Sequence, residues 1–215
     1  DENQVRVLGC LVEKAATTPD SYPLTLNALV NACNQRSKRS PVVNFDPRTV
    51  VRALDGLRER RLVWEATGVG SRSPKYRHDF ADIFGLDEPE AAALCVLMLL
   101  GPQTQGEIRT RCSRHYAFPS LAAVEQVLQA LQERETPLVI RLPRRTGHKE
   151  FRYAHTLAGE PNIDAEEAPA PMEPATLAVR EEQDSLRSLE ESVDSLKNEL
   201  ASLRKDFDAF KKQFE

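Results

Sequence analysis

Aromatic residues are scarce in this sequence, at 6% of 215 positions. A core of stacked rings is therefore excluded, and a helical core of Leu, Val and Ala is expected. Long apolar runs are also missing. No segment approaches the ~18–20 residues that cross a bilayer as a helix. The most apolar stretch, residues 91–100, suits a buried helix instead. The first residues carry no signal-peptide pattern. A cytoplasmic protein with no membrane partner is expected.

Cysteines are few, and Cys10, Cys33, Cys95 and Cys112 include no CxxC pair, which argues against a zinc site. They fall in apolar helical segments or at their ends, where a thiol acts as a small hydrophobe. No metal and no cofactor are expected. Glycine forms no phosphate-binding loop; Gly68 and Gly70 read as turn residues between strands. No Ser/His/Asp or Cys/His set converges, and no paired carboxylates mark a cleft, so no enzyme is expected. His78 and His155 each share a face with a tyrosine and read as packed side chains. His115 and His148 are isolated in loop-like segments. Glu13-Lys14 reads as a pair at a helix end, capping or ion-pairing there.

The net charge of −4 conceals an uneven distribution. Residues 1–80 hold 13 Lys+Arg against 9 Asp+Glu, a net of +4, whereas residues 87–159 hold 9 against 8. Residues 160–175 hold five acids and no base. The basic excess sits in the first eighty or so residues, where a nucleic-acid surface would need it.

What is present is best seen from Asp46 to Phe80. Asp46-Pro47 is a helix start, with Asp as N-cap and Pro in the first turn. Val50, Leu54 and Leu57 recur on one helical face, and Arg48, Arg52 and Arg58 on another. After Arg61 the period becomes two: Leu62, Trp64 and Ala66 alternate with Val63, Glu65 and Thr67. Glycines at 68 and 70 break the chain, and Tyr76, His78 and Phe80 then alternate with Lys75, Arg77 and Asp79. Helix, strand, glycine-rich loop, strand is the second half of a winged helix-turn-helix. Upstream, Val5, Leu8, Leu11, Val12 and Ala15 make a first helix, and 23–33 predicts a second, with Leu26, Leu29, Val30 and Cys33 inward. A loop over 34–44 carries Arg36, Lys38 and Arg39.

The order recurs downstream. Helices are predicted at 90–100, ended by Gly101-Pro102, and at 104–112. A third is capped by Ser120 and buries Leu121, Val124, Leu128 and Leu131. Leu138, Ile140 and Leu142 form one face of a strand; Phe151, Tyr153 and His155 form one face of the next. An offset of 74 positions places Val50, Leu54 and Leu57 on Val124, Leu128 and Leu131. The fold class expected is mainly α with β wings: two tandem winged-helix domains, 1–84 and 85–158. An acidic, proline-rich linker at 159–176 follows. Residues 177–215 carry a heptad seam of Leu186, Val193, Leu200, Phe207 and Phe214 with Leu189, Leu196, Leu203 and Phe210. This predicts a coiled coil that joins two chains as a homodimer.

The chain resembles the YceH-like family of bacterial proteins, whose function is uncharacterised and whose domains are tandem winged helices. The resemblance rests on residues 9–14 (GCLVEK), 17–19 (TTP), 22–27 (YPLTLN), 32–37 (ACNQRS), Pro41-Val42 and Gly70-Ser71-Arg72 with Lys75-Tyr76. It continues through Gly106-Glu107-Ile108-Arg109 and Val139-Ile140-Arg141-Leu142. It implies a fold and a bacterial cytoplasmic setting, and no activity.

The partner expected from the residues themselves is double-stranded DNA. The helix from Pro47 would enter the major groove. Arg48, Thr49 and Arg52 would reach base edges or phosphates, while Arg36, Lys38, Arg39, Arg72 and Lys75 would hold phosphates. In the second domain the matching helix has Ala122, Ala123 and Gln126 where the first has Arg48, Thr49 and Arg52. Its cationic face is lost, and a structural or protein-binding role is expected. Arg144, Arg145 and Lys149, with His148, leave a backbone contact open at the second wing. The rival reading of the whole chain is a winged-helix adaptor that binds proteins and no DNA.

Overall fold

The computed structural model describes residues 1–66, 73–144 and 150–159. One unit spans Asp1–Ile163 and a second Asp164–Glu215. All but the first residue of the expected linker, and the whole seam from Leu186 to Phe214, lie outside the described residues.

The described part is a mixed α/β structure of helices and two small antiparallel sheets. Helix α1 (Glu2–Thr17) starts at a capping box in which Asp1 and Gln4 exchange side-chain and backbone bonds, satisfying two otherwise orphan donors. Strand β1 (Leu24–Thr25) leads into α2 (Leu26–Cys33), and α3 is Pro47–Glu59. Strands β2 (Val63–Ala66) and β3 (Lys75–His78) follow, then a short α4 (Phe80–Phe84). The order then repeats as α5 (Glu88–Leu100), β4 (Gln103–Thr104), α6 (Gln105–Cys112), α7 (Leu121–Gln132), β5 (Val139–Arg141) and β6 (Arg152–His155). The sheets have matching strand orders, β1-β3-β2 and β4-β6-β5.

The second helix starts later than its sequence suggests. Leu24 and Thr25 are drawn into the sheet, opposite Tyr76 and Lys75, and the Thr25 hydroxyl then caps α2 by accepting from the Ala28 amide at 3.3 Å. A strand of two residues has no period to read. α3 also stops at Glu59 rather than Arg61; Arg60 is its C-cap, and Arg61 has a φ of 60°.

Both middle strands bury a valine. Val63 and Val139 face the core at 1% and 0% exposure, whereas Trp64 is 46% exposed. Ile140 is only half-buried. Leu138 and Leu142 are buried, but they lie just outside β5. Leu121, expected inside, is exposed at the first turn of α7, while Val124, Leu128 and Leu131 are buried.

Two inner helices organise the core. α5 is buried from Ala92 to Leu99, as a helix apolar on all sides should be. It packs on α1, which buries every residue from Val5 to Glu13. Gly9 sets their approach. A Cβ there would lie 3.0 Å from Leu99 Cδ2 and 3.2 Å from Met98 Cβ, so any larger residue would push the helices apart. The apolar core is continuous across both halves. All four cysteines are buried and unpaired. Among the described residues, no helix is long and apolar enough to cross a membrane.

Candidate nucleic-acid interface

α3 begins as its sequence indicates. Asp46 Oδ1 accepts the Thr49 amide at 2.7 Å, and Pro47 occupies the first turn, where its missing N–H costs nothing. The Thr49 hydroxyl and amide hold the Asp46 carboxyl below the usual carboxylate range, helped by Arg52 and Arg48. Val50, Ala53, Leu54 and Leu57 anchor one face in the core. The opposite face is thereby fixed outward, with Arg48, Val51 and Arg52 exposed and Thr49 half-buried. Neither Arg48 nor Arg52 forms an ion pair among the described residues. Further along, Arg58 is shared between Asp55 and Glu65, each at 3.8 Å.

The loop before α3 is tied down at both ends. The Asn34 amide closes it, donating to Phe45 O at 2.8 Å and accepting from Phe45 N at 2.7 Å. Ser40 N donates to Leu99 O at 2.9 Å, and Arg6 reaches Pro41 O at 2.6 Å and Leu99 O at 3.4 Å. On this frame Arg36 and Lys38 are exposed. Lys38 has a φ of 55°, a left-handed conformation that most side chains avoid.

Arg39 is a correction. It was expected on a phosphate, but it is 5% exposed and turned inward. Its guanidinium meets Glu13 with two bonds, 3.1 Å and 2.5 Å, and also donates to the carbonyls of Ala32 and Lys38 and to Gln35 Oε1. Every direction a phosphate could approach from is taken. The Glu13–Lys14 pair is present at 3.6 Å, with Arg39 as the stronger partner of the carboxylate. Burial alone would raise the Glu13 carboxyl; the hydrogen bond and charge of Arg39 outweigh it and lower it.

Of the remaining expected contacts, Lys75 is half-buried on β3, and Arg72 lies outside the described residues. In the second half the matching helix face is Leu121, Ala122, Glu125, Gln126 and Gln129, all exposed and without a cation. Arg144 stacks over the Phe151 ring at 4.2 Å, with Arg141 over the same ring at 4.4 Å; Arg145 and Lys149 lie outside the described residues. His78 packs edge-on to Tyr22, with ring centroids 5.9 Å apart, and its backbone N–H donates to Tyr22 Oη at 2.6 Å. Burial pushes the Tyr22 hydroxyl up to about 12 and the His155 imidazole down to about 4.

Sequence reasoning missed two things here. One is Arg134, which bonds Phe84 O, Gly85 O and Glu90 Oε2, and so fastens the connector between the halves. The other is the outward pairing of Trp64 with Arg77 across β2 and β3. Correct strand phase would have found it.

Comparison with known proteins places the chain in a defined group. A family model described as a protein of unknown function, DUF480, matches residues 1–148. A UPF0502 protein of Geobacter sulfurreducens is 52% identical over 86% of this chain and 84% of its own length. One from Opitutus terrae is 55% identical over 79% of this chain and 75% of its own. One from Geotalea uraniireducens is 47% identical over 87% and 85%.

Proposed function

The chain belongs to the DUF480 (UPF0502) family of bacterial proteins of unknown function, and from there we propose that it is a non-enzymatic DNA-binding protein whose first half grips duplex DNA through α3. Each half is a winged helix in this reading, in keeping with the YceH-like description. The observation that carries it is the outward, unpaired cationic start of α3, Arg48 and Arg52, on a helix whose other face is locked in the core. An α-helix fits the major groove, and cations in its first turns reach phosphates and base edges. Arg36 and Lys38, on the tethered loop just before α3, add phosphate contacts. Two chains joined through residues 177–215 would present two such helices, so that binding by one raises the effective concentration of the other.

A titration of labelled duplex DNA across a salt series tests this, comparing the chain with its Arg48→Glu/Arg52→Glu variant. Affinity falls steeply with salt for the unaltered chain and is largely lost in the variant. Binding weaker than ~0.1 mM at low salt, below ordinary non-specific affinity, overturns the reading. The joining of chains is tested separately by light scattering: a dimer for the full chain and a monomer for one ending at Gly159. A monomeric full chain refutes it.

One observation favours an adaptor role for the second half. Its α7 exposes Leu121 at 48% on a face without cations, a surface better suited to a protein than to a polyanion.

A further inference from the structure

The outward face of the first sheet is chemically unlike that of the second. Residues directly opposite in an antiparallel pair share a face. Trp64 stands opposite Arg77, and both Thr25 and Ala66 stand opposite Lys75. These five side chains therefore form one face, while Leu24, Val63 and Tyr76 line the buried one. Trp64 is 46% exposed and the Arg77 side chain 53%. In the second sheet the corresponding pair is Ile140 and Ala154, and Ala154 is 3% exposed. So the half with the cationic helix also presents an indole opposite a guanidinium, where the second sheet has Ile140 opposite Ala154.

We propose that this face is a second nucleic-acid site, which stacks an unpaired base of a single strand on Trp64 and holds the flanking phosphates with Arg77 and Lys75. Base–aromatic stacking beside cations is how proteins grip single strands without reading sequence. Arg77, opposite Trp64 in the register, also meets Asp79, whose Oδ1 lies 3.2 Å from Arg77 Nη2 at the end of the strand; this exposed pair is weak enough for a phosphate to compete for the guanidinium. Two cations flank the indole and the apolar part of the face is limited to Trp64 and Ala66, a charge balance that suits a polyanion. The site is distinct from the duplex reading, since stacking needs a base outside the double helix and uses none of the α3 residues.

Trp64 is the only tryptophan in the chain, so tryptophan fluorescence, excited selectively over the tyrosines, reports on this site alone. The full chain is titrated with an oligothymidylate of about 15 nucleotides, long enough for one site, and with inorganic polyphosphate of similar charge. The oligonucleotide quenches the emission at least ~twofold at saturation and polyphosphate leaves it unchanged, because only a base can stack. By anisotropy of the labelled oligonucleotide, Trp64→Ala weakens binding about tenfold and Trp64→Phe restores most of it, since a stack is worth ~1–3 kcal/mol per base. Arg77→Ala keeps the fluorophore and also weakens binding. No quenching, equal quenching by polyphosphate, or unaltered binding by Trp64→Ala overturns the proposal. So does loss of self-association in Trp64→Ala without any oligonucleotide effect, which would make the face a protein interface. The two nucleic-acid readings fail separately: Arg48→Glu/Arg52→Glu abolishes duplex binding and leaves the Trp64 quenching in place.

Discussion

Arg39 and Glu13 close a two-pronged ion pair inside the first half, joining the loop before α3 to α1 with bonds of 3.1 Å and 2.5 Å. Both residues are buried, at 5% and 7% exposure. Removing one partner would strand the other charge away from water. Glu13→Gln or Arg39→Ala is expected to cost ~3–5 kcal/mol of stability, read as a lowered urea midpoint. The double change Glu13→Leu/Arg39→Met recovers most of that loss, because a packed apolar pair replaces the ions without an orphan. If the single changes cost under ~1 kcal/mol, the pair is better hydrated than its burial indicates.

The same pair divides the loop cations by role. Arg36 and Lys38 face solvent and Arg39 does not. Removing one cation that neutralises a phosphate should flatten the plot of log affinity against log salt by ~0.9. Arg36→Ala and Lys38→Asn are each expected to do so without lowering stability. Asn suits the left-handed backbone at position 38. A slope unchanged in both variants would remove this loop from the proposed interface.

Two glycines inside helices should respond in opposite directions. At Gly9 a side chain meets Leu99 and Met98, the packed inner helix. Gly9→Val is expected to cost ~1–3 kcal/mol by overpacking. At Gly56 the new Cβ would meet the amide end of Gln4, a flexible side chain whose displacement gives up only the exposed bond it accepts from the Asp1 amine. Gly56→Ala should stabilise by ~0.5 kcal/mol through helix propensity and reduced freedom of the unfolded chain. Thermal melting of the two variants checks both signs.

Burial lowers His155 to about 4. A histidine kept neutral in the folded chain is protonated first in the unfolded one, at about 6.5. Its contribution is therefore full above about pH 6.5, and stability falls as pH drops from there towards 4. The largest loss this single group can cause is ~3 kcal/mol. Urea midpoints measured from pH 7 down to 4 should fall across that window, and His155→Gln should flatten part of the fall. His78 and His115 are lowered by burial too, so some slope will remain.

The sequence made α3 legible because its signals are local: Asp46-Pro47 starts it, and Val50, Leu54 and Leu57 mark one face within three turns. The same holds for α5, apolar on every side. Strand phase was not legible. Val63–Ala66 offers only two positions per face, too few for the alternation to tell which side meets the core. Arg39 was misjudged for another reason. Beside Arg36 and Lys38 it looks like one more loop cation, and its partner lies on α1, 26 positions away. Pairings of that range leave no periodic trace. The repeat was visible through its third helices, but β1 and β4 are too short to show except as pairs with β3 and β6.

The Leu99 carbonyl, which accepts from both Ser40 and Arg6, carries a consequence for how such a gene can change. It belongs to the second half, yet it fastens the loop that aims the first half's helix. A deletion or recombination breakpoint between the halves would unmask the apolar face at Gly9, and would take the Leu99 carbonyl from Arg6 and Ser40 and the Phe84 carbonyl from Arg134 at once. The two halves differ in surface chemistry, as α3 and α7 do, but each is incomplete without the other.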